Sequence, residues 1–239
     1  MRFRAILFDV HQTLIRKDYT LLSLAQRNAA AVLQEAGYDV TLEALTSAWE
    51  QNRRQVGARL ANGRHDEVEF YTWYESLLGL AGIPRAPVEL IDRFNDVFAS
   101  SFAGGIAAFP GAPEALTELR RRYTLGIISN SLGRNTRFDL RIAGLYDYFT
   151  HFSISSEIGK RKPHPAIFQS ALDGLGMTAA AAVMVGDHPG EDVRGARQVG
   201  MTAIQVAAPG TEASPEADAV IHDLSRLVLV VERLEDAHS

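Results

Sequence analysis

Four short apolar runs, each flanked by a stretch of helical character, set the frame for this chain. Phe3 to Val10, Leu125 to Ser129, Ala182 to Gly186 and Thr202 to Val206 are rich in strand-forming residues. Unbroken runs of this kind mark strands buried on both faces of a parallel sheet, because strands with one wet face alternate instead. The strand, helix, strand repetition predicts an α/β fold with a doubly wound parallel sheet, and ligands in such folds gather at the carboxyl ends of the strands. Asp9, Ser129 and Asp187 all fall there.

From about Leu14 to Phe109 the pattern changes to helical periodicity, and no buried strand is expected. The organisation predicted is an α/β core of residues 1–15 and 106–239 with an inserted α-helical lobe of residues 16–105. Thr20 is a candidate cap for a helix ending near Gly37, with Leu21, Leu24, Ala25, Val32 and Leu33 on or near one face, and Thr41 for the next. Two further helices are expected around 67–80 and 87–102, separated by the breakers Gly79, Gly82 and Pro84. Gly104-Gly105 and Pro110-Gly111 bracket the return to the core, where a hinge would sit.

Composition narrows the chemistry. With a formal net charge of -5 and lysine confined to positions 17, 160 and 162, the chain has no surplus of cations for a phosphate backbone, so no nucleic-acid partner is expected. The absence of cysteine removes disulfides, thiolate nucleophiles and cysteine-ligated metals, leaving catalysis to oxygen and nitrogen groups. Asp9 ends the first apolar run too early for a signal peptide, and no stretch approaches the roughly 18 apolar residues that span a bilayer. A cytoplasmic location, no membrane partner, and a monomer or homodimer are the expectations.

Taken together, Asp9-Val10-His11-Gln12-Thr13, Ser129-Asn130, Lys162-Pro163 and Gly186-Asp187 with Asp192 five positions on resemble the motifs of the haloacid dehalogenase superfamily, in order and spacing. The resemblance spans nearly the whole chain, and the insertion is similar to that family's cap of the first type. It implies a hydrolase, most simply a phosphatase for a small phosphorylated metabolite, in which the Asp9 carboxylate attacks phosphorus. It implies Mg2+ held by Asp9, Asp187 and the main-chain carbonyl of His11, since a hard cation with oxygen ligands relieves crowded carboxylates. Asp192 would act from behind, orienting a metal-bound water or Lys162. Lys162, Ser129 and the Asn130 N–H would bind phosphoryl oxygens, and Thr13 would hold the loop and touch the transferred group. Lys160, Arg53, Arg54, Arg59 and Arg64 read as solvated charges, and Phe70, Tyr71, Trp73 and Tyr74 as lobe core. His164 and His188 read as loop residues, and His65, His151, His222 and His238 as structural or exposed.

The first motif departs from the family twice. His11 stands where phosphatases carry a second aspartate that protonates the leaving alcohol and later activates water, and Gln12 stands where glycine is usual. Three readings follow: His11 is itself the acid and base, the substrate has a leaving group needing little protonation, or the chemistry is no longer phosphoryl transfer. The main enzymatic rival is halide displacement from a 2-haloacid by Asp9 without metal. Against it, Asp187 and Asp192 preserve a metal arrangement, and family dehalogenases carry Tyr at the position of His11. A Schiff base would need an amine in the insertion, which offers only Lys17. A catalytically degenerate ligand-binding module is the non-enzymatic rival, but a scaffold gains nothing from clustered, repelling carboxylates. If His11 carries the proton, an imidazole limb near neutral pH should appear in the pH–rate profile and vanish in His11→Gln.

Overall fold

The computed structural model describes residues 3–61, 63–208 and 210–236, so His238 lies outside the described residues. Six parallel strands, β1 (Ala5–Phe8), β4 (Thr124–Ser129), β5 (His151–Ile154), β6 (Ala182–Gly186), β7 (Thr202–Val206) and β8 (Ala219–Ile221), form one sheet in the order β5-β4-β1-β6-β7-β8. Along β1, Ile6 and Phe8 enter one apolar cluster while Ala5 and Leu7 enter another, all four fully buried. Both faces of the sheet are therefore dry, which is why its central strands read as continuous apolar runs. The order reverses about β1, so the carboxyl ends of β1, β4 and β6 lie side by side.

Helices α1 (Leu22–Glu35), α2 (Leu42–Leu60), α3 (Phe70–Leu80) and α4 (Val88–Ser100) make up the insertion, with α1 against α4 and α2 against α3. The core helices are α5 (Ala112–Leu119), α6 (Gly133–Ile142), α7 (Ser155–Ile158), α8 (Pro165–Leu175), α9 (Gly195–Gln198) and α10 (Leu227–Asp236). Thr41 caps α2, its Oγ1 accepting from Ala44 N at 3.1 Å. Thr20 does not cap α1. It lies in a 3-10 turn over Tyr19–Leu21 whose first N–H groups are satisfied by Asp18, and α1 starts after it. Leu24 faces solvent at 45% exposure, so the buried stripe of α1 runs through Ala25, Ala29, Val32 and Leu33.

Strands appear where none was expected. β2 (Ile15–Lys17) and β3 (Ile106–Ala108) pair antiparallel, tying the entry of the insertion to its exit. Three-residue strands carry too little periodicity to be seen in sequence, and the mixed polarity of β5 and the brevity of β8 hid them in the same way. The insertion also touches the core through the turn after α2. Asp66 forms a β-bridge with Lys160, Glu67 N donates to Gly159 O at 3.0 Å, and Arg161 N donates to His65 O at 3.0 Å. Lys160 is ion-paired with Asp66 rather than free in solvent, whereas Arg53, Arg54, Arg59 and Arg64 are exposed.

The aromatic run fills the interior of the insertion. Tyr74 is fully buried beside Phe70 and Phe94, and Trp73 packs edge-on to Trp49. The Tyr74 hydroxyl donates to Asn95 Oδ1 at 2.6 Å. Tyr74→Phe would leave that oxygen buried and unpaired, so a stability loss of about 1–3 kcal/mol is expected, read as a lower urea midpoint with the denaturant slope unchanged.

Candidate active site

The site is built where three strands stop. Asp9 follows β1 and its N–H donates to Val185 O at 2.9 Å, which sets it beside β6, and Asp187 follows that strand directly. Lys162 precedes α8 in a loop with a cis Lys162-Pro163 peptide, and its side chain is 2% exposed. Its ammonium donates to Asp9 Oδ1 at 2.7 Å and to Ile128 O at 2.9 Å, and lies 2.7 Å from Asp192 Oδ1. Asp192 lies in a π-helical turn over Pro189–Arg194, where its Oδ2 accepts from His188 N at 2.9 Å. Gly186 makes room for it: a Cβ there would lie 2.3 Å from Asp192 Cγ.

Asn130 braces the lysine loop from β4. Its Oδ1 accepts from Lys162 N at 2.7 Å, and its Nδ2 donates to Lys162 O at 3.1 Å and to Glu191 Oε2 at 2.8 Å. Sequence reasoning credited this residue only with its backbone N–H and missed the side chain. Ser129 is buried at the end of β4 and accepts from Ser131 Oγ at 3.0 Å. Thr13, also buried, donates to Asp187 Oδ1 at 3.1 Å. His164 and His188 use Nδ1 to cap the turns that follow them.

The altered first motif has physical content. Gln12 holds φ at 65°, the left-handed conformation that glycine adopts without strain and other residues adopt only at a cost. The His11 ring meets Asp139 of α6, with Nε2 to Oδ2 at 2.9 Å. Asp139 is 1% exposed and also receives the Lys17 ammonium, at 2.8 and 3.1 Å. Lys17 is thus held in an ion pair, with the Phe102 ring 4.6 Å away. Asp139 was missed in the sequence. The signal was a carboxylate on the face of α6 that Thr136 and Leu140 bury.

The haloacid dehalogenase-like hydrolase family model matches residues 6–206. This chain belongs to that family. Among relatives of the hydrolase, a ribulose-1,5-bisphosphate 5-phosphatase of Halopiger xanaduensis is 32% identical over 205 residues, covering 84% of this chain and 83% of the relative. A glyceraldehyde 3-phosphate phosphatase of Methanopyrus kandleri is 29% identical over 206 residues, covering 85% and 83%. A 2-haloacid dehalogenase of Pseudomonas syringae pv. tomato has a crystal structure similar at a TM-score of 0.72, with 30% identity over 97% of this chain and 99% of that one.

Three carboxylates of the hydrolase site converge closely enough to hold a cation. One oxygen each from Asp9, Asp187 and Asp192 lies within 4.8 Å of the others. Burial lifts the Asp187 carboxyl above its usual range, and the charge of Asp9 lifts it further, against the Thr13 hydrogen bond. Asp192, enclosed completely, is pushed up to about 7 by burial despite the lysine beside it. Burial also opposes the charge on Lys162, but Asp192 and Asp9 outweigh it and hold the ammonium protonated. With all three carboxylates ionised, one ammonium leaves two negative charges over, which a divalent ion would offset. The donor set therefore fits Mg2+.

A cavity of about 430 Å³ adjoins this cluster on the β7 and β8 side. Gln12, Thr13 and Asp187 line it together with residues that include Phe109, Val206, His222 and Asp223, so it lies beside Asp187, and neither Ser129 nor Lys162 lines it.

Two outcomes follow. Carboxyls raised in the folded state bind more protons there than in the unfolded chain. The metal-free protein should lose stability as pH rises from the ordinary carboxylate range through about 7. The increase in melting temperature on replacing EDTA with Mg2+ should be larger near about pH 8 than near about pH 5, and equal increases would refute the assignment. Gly186→Ala should displace Asp192, costing about 1–3 kcal/mol of stability and lowering the affinity for Mg2+ in titration calorimetry.

Proposed function

We propose that this hydrolase is a magnesium-dependent phosphatase for a small phosphorylated metabolite, with Asp9 as nucleophile and the helical insertion, residues 16–105, as a cap over the strand ends. The observation that carries the reading is the convergence of Asp9, Asp187 and Asp192 about a single buried lysine. Halide displacement by a carboxylate needs no metal, whereas three acids gathered at one point make an oxygen-ligand set for a cation. The phosphatases among the relatives act, by their names, on a ketopentose bisphosphate and a triose phosphate, which makes sugar phosphates the first substrates to test. No helix among the described residues is long and apolar enough to cross a membrane. A diffusible substrate and a cytoplasmic monomer or homodimer belong to the same proposal.

Lys162 binds Asp9 Oδ1, and with that oxygen engaged Oδ2 is the one to attack. As the Asp9 Oδ2 to phosphorus bond forms, the bond from phosphorus to the ester oxygen breaks. In the second step water attacks phosphorus, the aspartyl bond breaks and phosphate leaves. Bound Mg2+, held by Asp9, Asp187 and the His11 carbonyl, would supply charge neutralisation at the transferring group. Lys162, the Ser129 hydroxyl and the Asn130 N–H would bind the equatorial oxygens, with Thr13 steadying Asp187. Asp192 would keep Lys162 charged and aimed. His11 takes the place of the missing aspartate, and general acid help of this kind is worth about 10²–10⁴ in rate.

Purified protein should release phosphate from triose and pentose phosphates only with Mg2+, and Asp9→Asn should lower kcat by more than about 10³-fold. Release of halide from a 2-haloacid in EDTA would replace this reading with the dehalogenase one.

A further inference from the structure

The proposed reaction leaves one buried charge cluster unused. Asp139, on the core helix α6, has Lys17 on both oxygens and His11 on Oδ2, and it is 1% exposed. Lys17 by itself would balance the carboxylate. The bond to His11 is the added feature, and it reaches the side chain two positions after the nucleophile, which chain geometry keeps within about 7 Å of Asp9 between Cα atoms.

We propose that Asp139, steadied by Lys17, is a positioning residue that fixes the His11 ring and its tautomer, so that Nδ1 is the nitrogen offered to the substrate. An ionised carboxylate only accepts hydrogen bonds, so Nε2 must carry the proton between His11 and Asp139. In the neutral ring the lone pair is then on Nδ1. The ring is 26% exposed and its Nε2 is taken by Asp139, which leaves Nδ1 as the nitrogen available to a substrate. Carboxylates that hold a histidine in this way set its orientation and tautomer elsewhere in enzymology. The inference rests on the phosphatase reading for its chemical consequence. Nδ1–H would give its proton to the ester oxygen as that bond to phosphorus breaks, and Nδ1 would take one from the water that attacks the aspartyl phosphate. The proton carried off by the alcohol is so replaced, and Nε2–H stays with Asp139 throughout.

The alternative is a purely structural clasp in which Lys17 and Asp139 tie β2 to α6 and the His11 contact has no consequence for chemistry. Imidazole nitrogen NMR at alkaline pH on the full-length protein separates the two, with the His11 signals identified by their loss in His11→Gln. The wild type should show His11 as the Nε2–H tautomer, and Asp139→Asn should convert it to a mixture. In parallel, Asp139→Asn should lower kcat on an alkyl phosphate by about 10–100-fold with KM nearly unchanged, and on an aryl phosphate by less than about 3-fold. Adding His11→Gln to it should cost little more. Should Asp139→Asn not fold, Lys17→Met with Asp139→Leu removes both charges together and leaves His11 without its partner. An Nδ1–H tautomer in the wild type, equal losses on the two phosphates, or losses that multiply with His11→Gln would overturn the proposal. Wild-type protein inactive on both esters would end the phosphatase reading, and the tautomer measurement would still decide whether Asp139 governs the ring.

Discussion

One buried ammonium organises the centre of this protein. Lys162 is enclosed where desolvation alone would neutralise it, and it stays charged because Asp9 and Asp192 stand on either side. Much of the local architecture serves that arrangement. Asn130 clamps both sides of the lysine peptide, the N–H of His188 holds the far oxygen of Asp192, and the bare Cα of Gly186 admits that carboxylate to the strand end. Deleting one partner from such a group leaves an uncompensated buried charge, typically a loss of about 3–5 kcal/mol. The three side chains hold one another's charge in place.

What the sequence disclosed followed from burial. Strands with two dry faces leave an apolar run that needs no partner to be recognised, so β1, β4, β6 and β7 were legible and the acids at their ends stood out. The three-residue strands β2, β3 and β8 and the mixed-polarity β5 acquire their identity from the neighbour they pair with, which no local window contains. Leu24 shows the same limit on a helix: the repeat that places Ala25, Val32 and Leu33 inside leaves a leucine at the margin to be settled by packing.

The site divides along the same line. Asp9, Thr13, Ser129, Lys162, Asp187 and Asp192 could be gathered in sequence because each sits at a motif position, and the fold brings them to one strand edge. Asp139 could not be gathered, since it lies in mid-helix and its meaning comes from Lys17 and His11, more than a hundred residues away. The two departures of the first motif differ in kind. Gln12 takes a left-handed backbone conformation that suits glycine, whereas His11 brings a ring that meets Asp139.

The pairing between the turn after α2 and the strip at residues 159–161 makes the lysine loop a shared boundary. Asp66, Glu67 and His65 are joined by backbone and ionic contacts to the residues immediately before Lys162. A swing of the helical insertion relative to the core must therefore either peel off this short ribbon or drag the loop that carries the ammonium. In mechanical terms the insertion is latched to the lysine loop, so moving the one and disturbing the counter-charge of Asp9 become one motion.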